Sequence, residues 1–204
     1  KPELVLVQGD TTSVMVTALA CFYRRIPVGH VEAGLRTHDV QNPFPEEMNR
    51  LVAGYASAIH FAPTAASRDN LLAERHDRAS VHVTGNTVID ALLMVAKRDL
   101  ACAYPAPGRK LVLITAHRRE NFGAPLLNIC RAIRTLHDTH EDVDFVYPVH
   151  PNPNVRGPVY QNLAGLERLH LCEPVNYLEL TALMKACHFA LTDSGGIQEE
   201  APAL

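Results

Sequence analysis

Short apolar runs without polar alternation recur along the chain, and each is separated from the next by a longer amphipathic segment. The runs at residues 4–7 and 110–115 are typical examples. Strands covered on both faces have this composition, whereas strands with one wet face alternate polar and apolar residues. Because helical segments lie between the runs, the pattern predicts parallel sheets in an α/β fold, doubly wound and Rossmann-like.

The positions of these runs and segments predict the secondary structure in outline. We predict strands at residues 4–7, 27–31, 58–62, 80–83, 110–115, 144–149, 168–171 and 189–192. We predict helices at residues 11–24, 46–57, 65–74, 88–98, 124–139, 158–165 and 177–186.

The stretch at residues 99–109 interrupts this pattern. It contains Pro105, Pro107 and Gly108 among small residues, which is typical of a connection between domains. We therefore predict a first domain at residues 1–100, a linker at 101–109 and a second domain at 110–204. The alternative is a long connection within a single sheet.

Composition excludes several classes of protein. The 19 basic and 22 acidic residues give a net charge of −3, which argues against a broad basic face for nucleic acid. No apolar run approaches the length of a membrane span, and no signal peptide is recognisable. The 5 cysteines include no CxxC pair and are interpreted as reduced thiols. These features predict a cytoplasmic protein without nucleic-acid or membrane partners.

Acidic side chains follow the predicted strands of the first half, at the edge where parallel sheets bind ligands. Asp10 follows the first strand, Glu32 the second, and Glu46 begins the next helix. Each has a purely structural alternative. Asp10 would cap a helix, Glu32 would pair with Arg36, and Glu46 and Glu47 would stabilise the positive end of their helix.

Basic side chains take the corresponding positions in the second half. His117, Arg118 and Arg119 directly follow one strand, and His150 follows the next. A histidine beside two arginines at a strand end indicates that an anion is bound there.

A strand, a glycine turn and a helix then follow in order at residues 189–200. Ser194, Gly195 and Gly196 would offer backbone N–H groups and a hydroxyl to a phosphate, and Glu200 lies about one turn further on. The dinucleotide fingerprint GxGxxG and the P-loop are both missing. HExxH is missing too, and no tight cluster of histidines and carboxylates is recognisable apart from His30 with Glu32, since His137 and His140 lie in a polar stretch typical of a solvated surface. We therefore predict neither a metal nor a cofactor.

Seven segments occur in the order known from one enzyme family. They are VQGDTTS, PVGHVEAGLRT, NPFPEEMNR, VTGNTVIDALL, TAHRRENFG, YPVHPNPNV and LTDSGGIQEEAP. Over nearly its whole length the chain resembles the bacterial non-hydrolysing UDP-N-acetylglucosamine 2-epimerases.

The resemblance implies a fold and a reaction. The fold would be two Rossmann-like domains of the glycosyltransferase B type, each incomplete here, because family members have further βα units before residue 1 and continue beyond the helix containing EEAP. The reaction would interconvert UDP-N-acetylglucosamine and UDP-N-acetylmannosamine for cell-surface polysaccharides, without metal or nicotinamide. UDP would be eliminated, a bound 2-acetamidoglucal would form, and UDP would add back. Family members are generally homodimers.

The resemblance also implies roles for individual residues. The acid/base groups and the histidine beside the diphosphate would be Asp10, Glu32, Glu46 and His117. The UDP-binding residues would be Ser194, Gly195, Gly196 and Glu200. A second, activating UDP-N-acetylglucosamine would be bound by Arg118, His150 and Glu46.

One position departs from the family pattern. Where the family has an aromatic residue near the uracil, in EPxxYLxF, this chain has Leu180. Leucine offers a base no stacking geometry, so a weaker hold on the uracil is expected.

Two alternatives to this function stay open. A hydrolysing relative would let water trap the intermediate and release N-acetylmannosamine and UDP. A module that binds a sugar nucleotide without catalysis is the other alternative.

Overall fold

A computed structural model describes residues 1–104 and 107–204. The chain divides into two compact units, Lys1–Thr87 and Val88–Leu204. Each unit contains a parallel sheet of four strands. The predicted α/β class with parallel sheets is therefore confirmed.

The first unit has the sheet order β1-β2-β3-β4, and all neighbouring strands are parallel. Its strands are β1 (Val5–Gln8), β2 (Val28–Val31), β3 (Ile59–Ala62) and β4 (Val81–Val83). Its helices are α1 (Thr12–Tyr23), α2 (Glu46–Ala56) and α3 (Ala65–Ala73).

The apolar core of the first unit lies on one face of its sheet. Val7 and Val28 pack there against Val14 of α1 and Ala53 of α2. Leu6 points to the opposite face and is 62% exposed. Coverage on both faces, which the apolar runs predict, is therefore not found for this sheet within the residues the structure describes.

Histidines occupy the core beside these apolar residues. His30 and His60 are paired in register on β2 and β3, and each is 1% exposed. The His76 ring lies 4.4 Å from that of His60. Burial, reinforced by the neighbouring histidines, lowers the pKa of His60 to about 4. Burial also lowers the pKa of His30 and of His76, although the Gly9 carbonyl and Glu74, respectively, oppose the shift. The cluster is therefore neutral at pH 7.

The second unit has the sheet order β7-β6-β5-β8, again with all neighbours parallel. Its strands are β5 (Lys110–Thr115), β6 (Val143–Pro148), β7 (Leu169–Cys172) and β8 (Phe189–Thr192). Its helices are α4 (Thr87–Ala96), α5 (Ala124–Thr139), α6 (Pro153–Leu163), α7 (Tyr177–Ala186) and α8 (Gly195–Glu200).

Both faces of the second sheet are covered, as in a doubly wound domain. Helices α5 and α6 pack on the face that carries Val112 and Phe145. Helices α4, α7 and α8 pack on the face that carries Leu113 and Val146. The two faces account for the apolar, non-alternating composition of β5 and β6.

Helix α4 belongs to the second unit, whereas the predicted boundary places it in the first domain. Leu92 of α4 is fully buried in the second core, and Lys185 Nζ donates to the Ala96 carbonyl at 2.6 Å. The amphipathic pattern shows that this helix packs, but not on which sheet. Of the predicted linker 101–109, residues 105 and 106 lie outside the described residues.

Helix α6 begins five residues before the predicted start at Pro158. Asn152 caps it by accepting the Asn154 N–H at 2.9 Å, and Pro153 takes the first turn, where no N–H is needed. Pro158 lies inside the helix. No helix within residues 1–104 and 107–204 combines the length and apolar character needed to cross a bilayer.

We expect the histidine cluster to make the protein acid-sensitive. Below pH 6.5 the unfolded state binds a proton at His60 that the folded state binds only near pH 4, so stability falls as the pH falls. Between pH 7.5 and pH 5 the loss from His60 alone is about 2 kcal/mol. His60→Asn should reduce this pH dependence in urea unfolding, whereas His82→Asn, at an exposed position of β4, should not. Equal pH dependence in the two variants would contradict the assignment.

Candidate functional site

The turn after β1 brings two loops of the first unit together. Gly9 has a φ of +81°, a conformation that favours glycine, and a Cβ at this position would lie 3.2 Å from Oε2 of Glu32, a tight contact. His30 donates from Nε2 to the Gly9 carbonyl at 2.7 Å. The Glu32 carboxylate therefore lies against the residue that precedes Asp10.

Asp10 is held by two residues of α2. Arg50 Nη2 donates to its Oδ2 at 2.6 Å, and Asn49 Nδ2 donates to its backbone carbonyl at 2.8 Å. The side chain that caps α1 is Thr11, which accepts the Val14 N–H. The alternative in which Asp10 is the helix cap is therefore wrong.

Two neighbouring glutamates begin α2 and have different environments. Glu47 is 2% exposed and accepts the N–H groups of Thr37 and His38 at 2.9 and 3.0 Å, as well as Arg50 Nη1 at 2.9 Å. Burial by itself would raise the pKa of Glu47, but these hydrogen bonds outweigh it and lower the pKa. Glu46 is only half-buried and so has the more accessible carboxylate.

The loop that carries Glu32 has a constrained backbone. Glu32 has a φ of +64°, which is unusual outside glycine and common at functional positions. A Cβ on Gly34 would overlap the Ser67 carbonyl oxygen at 2.1 Å, so this loop packs directly on α3. Arg36 forms a bidentate ion pair with Glu74, at 2.6 and 2.8 Å.

In the second unit, the loop after β5 is attached to the loop after β8. Asp193 accepts the N–H groups of His117 and Arg118 at 2.9–3.0 Å and the side-chain amide of Asn121 at 2.8 Å. Arg118 Nη2 lies 2.9 Å from where a Cβ of Gly195 would be. The predicted anion-binding arginine and the predicted UDP-binding turn are therefore neighbours.

His117 and His150 also lie together. Their ring centroids are 5.4 Å apart, with an angle of 31° between the planes. Both rings are exposed, and Nδ1 of His150 accepts the Asn152 N–H at 3.1 Å. The predicted catalytic histidine of this unit thus adjoins a residue predicted for the second nucleotide sugar.

Glu200 and Leu180 are less exposed to solvent than these two histidines. Glu200 is 8% exposed, and burial, together with Glu199, raises its pKa. Leu180 is half-buried and packs against the second core from α7.

At the carboxyl ends of the strands, the structure brings Glu32 to the Gly9–Asp10 turn in the first unit, and in the second unit His117 to His150 and Arg118 to Gly195. The residues in these contacts that were not predicted as functional include Glu47, Arg50 and Asp193. Asp193 directly follows β8, much as Asp10 follows β1 with only Gly9 between them, and this strand-end position is a signal that the sequence contains. Within the described ranges, no group of three or more histidine, cysteine, aspartate or glutamate side chains is arranged to hold a metal ion.

The two units offer different chemistry. The first presents Asp10, Glu32 and Glu46, which are proton donors and acceptors. The second presents His117 and Arg118 beside a serine–glycine turn, a set suited to a phosphate group.

Comparison with known proteins gives the family that the sequence motifs resemble. The family profile described as UDP-N-acetylglucosamine 2-epimerase matches residues 1–204. A probable UDP-N-acetylglucosamine 2-epimerase of Ralstonia nicotianae is 53% identical over 214 residues, which is 100% of this chain and 57% of that protein.

Solved structures are similar over the same extent. The UDP-GlcNAc 2-epimerase of Neisseria meningitidis, bound to UDP-GlcNAc, aligns with a TM-score of 0.91 and 46% identity, over 98% of this chain and 57% of that one. Staphylococcus aureus MnaA, in complex with UDP, aligns with a TM-score of 0.93 and 45% identity, over 99% of this chain and 56% of that one.

The chain thus spans little more than half the length of these relatives. The profile match nevertheless covers every residue from 1 to 204. The two parallel sheets agree with the glycosyltransferase B type of fold of these structural neighbours. On these grounds the chain belongs to the UDP-N-acetylglucosamine 2-epimerase family.

Proposed function

We propose that this chain, at the full length of its relatives, inverts the configuration at C2 of UDP-N-acetylglucosamine and gives UDP-N-acetylmannosamine. The observation that carries the proposal is the close approach of the Glu32 carboxylate to Gly9, in the turn that precedes Asp10, at the ends of two adjacent strands. The membership in the family and the relative that binds UDP-GlcNAc support the choice of substrate.

The reaction we propose is an elimination followed by an addition. A base removes the proton at C2, the bond from C1 to the UDP oxygen breaks, and the electron pair of the C–H bond forms the C1–C2 double bond. The products are UDP and 2-acetamidoglucal, which both stay bound. UDP then adds back at C1 while an acid delivers a proton to the other face of C2. Atoms and charge balance without a cofactor.

This reaction needs an acid and a base near C2 and groups that stabilise the departing UDP. We assign the proton transfers to Asp10, Glu32 and Glu46, because their carboxylates stand at neighbouring strand ends and helix starts. The ion pair with Arg50 and the amide of Asn49 orient Asp10, so its carboxylate is positioned before substrate binds.

We assign the departing UDP to the second unit. Arg118 supplies positive charge and His117 a hydrogen bond for the diphosphate, and Ser194, Gly195 and Gly196 form the turn that binds it. Glu200 would accept hydrogen bonds from the ribose, and Leu180 would contact the uracil.

A regulatory role and a homodimer stay predictions. Arg118 and His150 would bind an activating UDP-N-acetylglucosamine together with Glu46. The position of Arg118 beside Gly195 favours a direct effect of this second molecule on UDP binding. A role in the supply of cell-surface polysaccharide precursors, in the cytoplasm, is proposed on the same family membership.

Product analysis tests the function itself. In deuterated water we expect UDP-linked N-acetylmannosamine with deuterium at C2, because the proton that returns comes from an acid that has exchanged with solvent. Mass spectrometry of the products checks this. Free N-acetylmannosamine would favour the hydrolysing alternative, and binding of UDP without turnover would favour the inactive module.

The acid/base assignment predicts the effect of two substitutions. Asp10→Asn and Glu32→Gln keep the shape of each side chain but remove its ability to transfer a proton, so kcat should fall by about 100-fold or more. Exchange of the C2 proton, followed by NMR, should fall with it. Asp69→Asn, at an exposed position of α3, is the control and should keep wild-type exchange. Normal exchange in the Asp10 and Glu32 variants would refute the assignment.

The position of Arg50 predicts a further effect. Its guanidinium joins Asp10 to the buried Glu47, and lysine cannot bridge both carboxylates in the same plane. Arg50→Lys should therefore lower kcat by about 10-fold, since Asp10 loses its fixed orientation. Arg68→Lys, at an exposed ion pair on α3, should leave kcat unchanged. A wild-type kcat in Arg50→Lys would show that Asp10 is oriented by other contacts.

A further inference from the structure

Asp193 is not part of the acid/base set or the UDP-binding turn, yet its carboxylate is the most heavily bonded acceptor in the contacts of the second unit. Its Oδ2 lies 3.0 Å from the His117 nitrogen, 2.9 Å from the Arg118 nitrogen and 2.8 Å from Nδ2 of Asn121. Its Oδ1 also lies 3.0 Å from the His117 nitrogen. One side chain thus receives two successive backbone N–H groups and a side-chain amide.

The peptide group between Ala116 and His117 is held on both sides. Its N–H donates to Asp193, and its carbonyl accepts the hydroxyl of Tyr147 at 2.7 Å. Tyr147 is fully buried, so its hydroxyl cannot move away without loss of packing. The next peptide group is held too, because the Arg118 N–H also donates to Asp193, and the two held planes together set the direction in which the His117 side chain leaves the backbone.

Asp193 is itself rigidly placed. Its backbone N–H donates to the Thr115 carbonyl at 3.1 Å, which continues the pairing of β5 with β8 by one residue. The hydroxyls of Thr115 and Thr192 are 2.6 Å apart, and the Thr192 hydroxyl accepts the Ser194 N–H at 2.9 Å. The same strand end therefore fixes Asp193 and the first residue of the serine–glycine turn.

We propose that Asp193 is a positioning residue for the reaction. By accepting the N–H groups of His117 and Arg118, it fixes the loop after β5 relative to Ser194, so that the histidine, the arginine and the turn meet one diphosphate in a single arrangement. This inference rests on the proposed function for its effect on turnover. Its structural part, the ordering of the loop, is independent of that function.

The substitutions Asp193→Ala and Asp193→Asn separate positioning from charge. Alanine removes every acceptor. In the asparagine variant, an amide oxygen at the place of Oδ2 still lies within hydrogen-bond distance of the His117 and Arg118 nitrogens and of Asn121, while the amide NH2 takes the place of Oδ1, so that the His117 N–H keeps one of its two acceptors. If acceptance of these donors is the role, asparagine restores most of it, because each of the three donors still has an acceptor at the place of Oδ2. If the negative charge acts directly on substrate, asparagine fails as alanine does.

The test uses the enzyme at the full length of its relatives, assayed well below the melting temperature of each variant. We expect Asp193→Ala to lower kcat by between about 10-fold and 100-fold, and Asp193→Asn to stay within about threefold of wild type. Asp142→Ala is the matched control, because Asp142 precedes β6 at the opposite end of the strands and pairs with Lys110. It should leave kcat unchanged.

Amide hydrogen exchange supplies a readout that does not depend on turnover. Exchange at His117 and Arg118 should be about tenfold or more faster in Asp193→Ala and close to wild type in Asp193→Asn and Asp142→Ala.

The outcomes distinguish this proposal from the proposed function. If the wild-type enzyme does not epimerise its substrate, the proposed function is refuted. The amide hydrogen exchange rates of His117 and Arg118 would still decide whether Asp193 orders the loop. Unchanged exchange in Asp193→Ala, a kcat within twofold of wild type in that variant, or an Asp193→Asn enzyme as slow as Asp193→Ala would each overturn the positioning role.

Discussion

The parallel pairing of the strands is the constraint on which the candidate site depends. Because neighbouring strands run in the same direction, their carboxyl ends meet at one edge of each sheet, and loops distant in sequence become neighbours there. The Gly9 turn thus lies against Glu32, and Asp193 reaches the N–H of His117. Neither contact would exist in an antiparallel sheet of the same strands.

Charged groups at these strand ends act mainly on one another before any ligand is present. Arg50 joins Asp10 to Glu47, and Asp193 gathers the N–H groups of the loop after β5. Such hydrogen-bonded carboxylates fix loops that carry no apolar core of their own. The residues that hold the site are therefore as polar as those proposed to react, which makes the two kinds difficult to separate by residue type alone.

The predicted bounds are confirmed for four elements, namely β5, β8, α5 and α7. Their apolar patterns are either long or have clear first and last residues. The start of α6 and the partner of α4 could not be predicted. A proline favours the start of a helix but does not require it, and the apolar face of α4 would suit either sheet. The exposure of Leu6 among the described residues could not be predicted either, since an apolar run does not show what packs on each of its faces.

The sequence by itself determined the α/β class, the strand-end positions of Asp10, Glu32, His117 and Ser194, and the family resemblance, because these follow from local patterns and ordered motifs. Only the tertiary structure decided that Glu47 rather than Glu46 is the buried carboxylate, that Thr11 rather than Asp10 caps α1, and that Asp193 holds His117. The first is a choice between two side chains of the same chemistry. The second accompanies the ion pair of Asp10 with Arg50, and the third joins two loops; both of these contacts link residues far apart in the chain.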